Sequence, residues 1–180
     1  MKKFAIYVDS GANIPNDIRI ARDIRVIPFH YMIDGEEHPC FTEDMPFEET
    51  AKKFYDAMRA GAEAKTSLLS ADVFEEALTP ALEEGRDVLL FTISSGISGT
   101  FAQAQEAAKR LTERYPGRKV FALDSANASL GEGLIAIKVA DLRDLGESAE
   151  ACAEWVRENT YKKKRPHFPY GRHCRDASEH

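Results

Sequence analysis

Small hydroxyls, glycines and carboxylates gather at four places in this sequence. The densest is Ser94-Ser95-Gly96-Ile97-Ser98-Gly99-Thr100, where serine and glycine alternate just before a run with helical spacing. At such a junction the first backbone N–H groups of the helix are free, the dipole favours negative charge, and hydroxyls add donors. The chemistry that fits is capture of a carboxylate or phosphate. Thr66-Ser67 stands ahead of a second expected helix, and Asp9-Ser10 and Asp124-Ser125 close two short apolar runs. Asp9 and Asp124 read first as caps or turn formers, because Asp bonds its own backbone at such positions. His30 and His38 show no partner in sequence and read as solvated or hydrogen-bonded. There is no Gly-Lys-Ser/Thr, no G-x-G-x-x-G and no Gly-x-Ser-x-Gly, so the phosphate-loop, dinucleotide and nucleophile-elbow fingerprints are all unmet.

The elements that must position these groups follow from the apolar pattern. Phe4–Val8, Ile24–Ile33, Asp87–Ile93 and Val120–Leu123 read as strands. Asp34-Gly35 is a turn signal. Helical spacing covers Pro15–Arg22, Pro46–Ala60, Ala71–Glu84 with Ser70 as its cap, Thr100 to about Tyr115, Gly133–Leu145 and Ser148–Thr160. Pro80 is expected to kink or shorten its helix. Trp155 shares an apolar helical face with Cys152 and reads as core. Strands alternating with helices imply an α/β fold, a parallel sheet with helices on both faces. Ligands then bind beyond the carboxyl ends of the strands, where three of the four polar clusters fall.

The 180 residues are 43% hydrophobic and 30% charged, enough for one domain with a core. The net charge is −6, which sets nucleic-acid and anionic-membrane binding behind other readings. No stretch approaches the roughly 18 apolar residues of a spanning helix, and Phe4–Val8 is too short for a signal peptide, so a cytoplasmic protein is expected. Cys40, Cys152 and Cys174 are odd in number and widely spaced, the pattern of free thiols. Residues 162–180 differ from the rest, with six Lys/Arg against Asp176 and Glu179. The expected division is a domain over 1–160 and a basic, disordered or aberrant tail over 161–180. His167, His173, Cys174 and His180 are too irregularly spaced for a built metal site.

Four segments in order carry a family resemblance. Val8-Asp9-Ser10 with Ile14-Pro15, then Ile27-Pro28 and Gly35, resembles the opening of the DegV family. Lys65-Thr66-Ser67 with Ser70 and Phe74 resembles its threonine–serine motif. Ile93 to Phe101 resembles its most characteristic segment, and Asp124-Ser125 with Ser129, Gly131 and Gly133 its next. The resemblance implies a non-catalytic protein with a long-chain fatty acid as bound ligand, no cofactor and no metal. The carboxylate would meet Thr66 or Ser67 and Ser95 or Ser98, with amides near Gly99, and would be presented to a partner fatty-acid kinase. It also implies a second domain that supplies one wall of the acyl channel, so weak binding by this chain is expected. Read one base later, codons for Tyr170–His173 can encode Thr-Val-Asp, so a truncated or frameshifted family member is expected. The other functional class is a serine-dependent acyl transferase or hydrolase using Ser95 or Ser98. It needs a base within about 3 Å, and no histidine lies near the serine loop in sequence.

Overall fold

Phe4–Asp9 (β1) is buried at every position, as a strand must be when both faces of its sheet are covered. The computed structural model describes residues 3–40 and 47–160. The expectations for 161–180, Cys174 and the helix start at Pro46 lie outside them. β1 pairs in parallel with Ile24–Ile27 (β2) on one side and Asp87–Thr92 (β6) on the other. Val120–Asp124 (β7) extends the sheet from β6, giving the order β2-β1-β6-β7, all parallel. Alternate residues feed two cores. Ile6, Val8, Leu89 and Phe91 pack with Leu130–Asp144 (α5) and Ala149–Thr160 (α6). Tyr7, Val88 and Leu90 pack with Ala71–Glu83 (α3) and Thr100–Arg114 (α4). The expected parallel sheet with helices on both faces is the observed one. Trp155 packs against the first core beside the fully buried Cys152.

The span Ile24–Ile33 is not one strand. It breaks at Pro28, whose missing N–H cannot continue a ladder. The Phe29 amide turns instead to the Ser10 hydroxyl at 2.9 Å. His30–Ile33 (β3) then joins a separate antiparallel sheet between Glu36–Pro39 (β4) and Ala64–Thr66 (β5). Asp34 and Gly35 make the tight hairpin turn with φ of 50° and 88°. Asn16–Ala21 (α1) precedes β2, and Phe47–Arg59 (α2) separates β4 from β5. Pro80 sits inside α3 without ending it. Ser70 holds the N-cap position, but its side chain makes no capping bond. The Ala71 amide is met by Gln103 Oε1 of α4 at 3.1 Å instead. α5 starts at Leu130, three residues before the expected Gly133.

Candidate functional site

The connections after β1 and β6 leave the sheet on opposite faces. Ala12, in the turn Ser10–Ala12, joins the core under α5, and α4 joins the core under α3. Neighbouring parallel strands that diverge in this way open a crevice at their carboxyl ends. Asp9 bridges that crevice. Its Oδ2 accepts from the Ile93 N–H at 2.8 Å and its Oδ1 from the Gly11 N–H at 2.8 Å. Burial pushes its carboxyl up to about 6, against the two amide bonds, which pull it down. Asp124 does similar work two strands over, at the end of β7. It accepts from the Ser95 and Ala126 amides at 3.2 and 2.8 Å and from the Ser95 hydroxyl. Both strand-end aspartates thus act as the turn formers that their positions suggest, and both fix the serine loop.

The predicted head-group residues fall into two neighbouring segments. Ser98 Oγ lies 2.8 Å from Thr100 Oγ1 and accepts from the Thr100 N–H at 3.2 Å, closing the start of α4. Thr66 is exposed and sits opposite Tyr31 in the small sheet. The Ser67 N–H donates to the His30 carbonyl at 3.2 Å. Leu68 reaches the serine loop, its methyls 3.7 and 3.9 Å from where a Cβ on Gly99 would stand. The Thr66–Ser70 segment therefore runs beside the Ser98-Gly99 turn. The Ser95 hydroxyl donates its proton to Asp124.

A cavity of about 810 Å³ lies next to these segments, between the ends of β1 and β2, the small sheet and α2. Val8, Ile14, Val26, Phe29 and Phe54 give it apolar walls, and Asp9 and Ser10 give it polar ones. Thr66 lines it; Ser67, Ser95, Ser98 and Gly99 do not. Sequence reasoning missed the α2 wall, because the span Pro46–Ala60 was read only as helical spacing. It also missed Glu132, which is fully buried with neither oxygen hydrogen-bonded. Burial, and then the charge of Asp9, pushes the Glu132 carboxyl up to about 9. His30 Nδ1 pairs with Glu37 Oε1 at 2.9 Å, and the His38 ring stacks on Tyr31. Both belong to the β3–β4 hairpin. Among the described residues no three His, Cys, Asp or Glu groups gather as metal ligands, and no helix is long and apolar enough to cross a membrane.

Fold and crevice define a class: an α/β protein whose polar loops gather at the switch point of a parallel sheet. The family described as "Uncharacterised protein, DegV family" matches residues 3–166, and the chain belongs to it. A DegV domain-containing protein of Clostridium perfringens is 32% identical over 162 residues, covering 90% of this chain and 55% of that protein. A DegV family protein of Thermus thermophilus, described for its fatty acid binding, is 30% identical. It aligns with TM-score 0.73 over 88% of this chain and 53% of its own. A Thermotoga maritima structure described as revealing fatty acid binding function is also 30% identical, with TM-score 0.75 over 88% of this chain and 55% of that one. The chain spans about half the length of the relatives it matches.

Proposed function

We propose that this chain binds a long-chain fatty acid, with the carboxylate at the Thr66/Ser98 junction and the methylenes in the cavity beside it. The observation that carries the reading is Thr66. Its segment lies at once on the wall of the 810 Å³ cavity and alongside the Ser98-Gly99 turn. A carboxylate needs two to four donors and no nucleophile. The Thr66 hydroxyl has no hydrogen-bond partner among the described residues and has its proton to give. If Thr100 donates to Ser98, the Ser98 proton is also free for a ligand, and the Gly99 amide is adjacent; the Ser67 hydroxyl, which now points to the His30 carbonyl at 3.5 Å, would have to turn to join them. Ser95 acts in this reading through Asp124, by holding the loop. The relatives described as fatty-acid binders support the ligand class.

The cavity volume falls in the range of small-molecule sites. Each methylene that leaves water contributes about 0.8 kcal/mol, so affinity should climb up to about fourfold per CH₂. A series of saturated acids of rising length, titrated against the delipidated chain, tests this. Affinity that does not depend on length would sink the acyl assignment. In the longer family architecture the same carboxylate would be presented to a fatty-acid kinase. A pull-down with purified kinase, with and without fatty acid, tests that extension separately. Hydrolysis of a nitrophenyl ester, lost in Ser95→Ala or Ser98→Ala, would replace the carrier reading with the acyl-transfer one.

A further inference from the structure

Glu132 stands in the first turn of α5 and is not one of the proposed head-group residues. It is fully buried, and neither carboxylate oxygen has a hydrogen-bond partner among the described residues. An ionised carboxylate buried with no cation or donor carries the full cost of desolvation. α5 packs against β1, the Ser10–Ala12 turn, β2, β6 and α6. β1 brings Asp9, a second buried carboxyl, and the turn brings no titratable side chain. Arg25 of β2 is turned to the Tyr7 hydroxyl, and Asp87 of β6 to the Lys119 amide at the far end of its strand. Glu150 of α6 pairs with Lys119. Arg143, about three turns along α5, bonds the carbonyls of Phe4, Arg22 and Asp23, and Asp141 bonds Arg22. Cys152 of α6 is a buried thiol. The group that acts on Glu132 is therefore Asp9, which repels its charge.

Asp9 has work that favours its ionised form. It accepts from Ile93, where the serine loop begins, and from Gly11, where the loop lining the cavity begins. Two ionised carboxyls here would push against each other at the one point that ties both loops. We propose that Glu132 is held as a neutral carboxylic acid in the folded protein, a positioning residue that leaves Asp9 the single negative charge under the crevice and makes the loop geometry depend on one buried proton. This goes beyond the ligand reading and does not rest on it.

The sign follows from linkage. Unfolded Glu132 loses its proton near 4.5, and folded Glu132 keeps it to about 9. Within that window the folded state holds one proton more, so stability falls as pH rises and the loss is complete above about 9. Glu132→Gln keeps the shape and has no proton to lose. In urea melts of the full chain at pH 5.5, 7 and 8.5, the folding constant of E132Q relative to wild type should rise close to tenfold per pH unit in mid-window. A ratio independent of pH overturns the proposal. The amide NMR signals of Ile93 and Gly11 should shift with the alkaline step in wild type and not in E132Q; signals that titrate alike in both overturn the positioning role. A chelator that shifts the wild-type melt but not that of E132Q would show a bound cation in place of the proton, and also overturns it. If E132Q does not fold, Glu132→Met, of similar volume and equally unable to ionise, carries the same comparison.

Discussion

Thr66 and Ser98 are the side chains on which the head-group reading stands. A hydrogen bond to a charged group contributes about 1.5–3 kcal/mol. Thr66→Ala and Ser98→Ala should therefore each weaken fatty-acid binding by roughly tenfold or more, measured by displacement of a fluorescent fatty acid. Ser98→Ala should also lose about 1 kcal/mol of stability, because Ser98 Oγ caps the Thr100 amide. Ser95→Ala separates a donor from a scaffold residue. Its hydroxyl is bonded to Asp124, so this variant should show a lower urea midpoint with a smaller change in affinity than Thr66→Ala. The reverse order would make Ser95 the ligand donor. Serine and glycine density pointed to this loop from the sequence. The division of labour between Ser95 and Ser98 could not be read there, because Asp124 is 29 residues from Ser95 and is brought close by the β6–β7 register.

At the scale of elements, long apolar runs were legible and short polar strands were not. Asp87–Thr92 and Phe4–Asp9 are buried strands whose composition admits little else. Glu36–Pro39 carries two glutamates and a histidine, and forms a strand because the Asp34-Gly35 hairpin folds it onto β3. Pro28 was visible in the sequence, but the second sheet it leads into depends on Ser10 capturing the Phe29 amide. Gly133 shows how closely α5 approaches the first loop. A Cβ there would stand 2.8 Å from the Ala12 carbonyl oxygen and 3.0 Å from Ile14. Alanine gains about 1 kcal/mol of helix propensity over glycine. The clash falls on backbone and should cost about 1–3 kcal/mol, so Gly133→Ala is expected to lower the urea midpoint without changing the slope. A raised midpoint would mean that α5 does not seat this tightly.

The whole molecule gives its two sheet edges different work. At the amino edge the buried Arg143 donates to the carbonyls of Phe4, Asp23 and Arg22, tying α5 to β1 and to the α1–β2 loop. At the carboxyl edge, Asp9 and Asp124 tie the serine loop, and Thr66 lines the cavity beside it. Arg143→Met should therefore lower stability by about 2–4 kcal/mol in thermal or urea melts, with little change in ligand affinity for the protein that remains folded. The cavity sits wholly at the carboxyl edge, and its α2 wall could not be assigned from sequence because amphipathic spacing does not say which neighbour a helix faces. The central claim is that this edge holds a fatty acid by its carboxylate, and equilibrium titration of the delipidated chain with a fluorescent long-chain fatty acid tests it most directly. Saturable one-to-one binding that Thr66→Ala/Ser98→Ala reduces at least tenfold is the expected result; the same affinity in wild type and the double variant would contradict it.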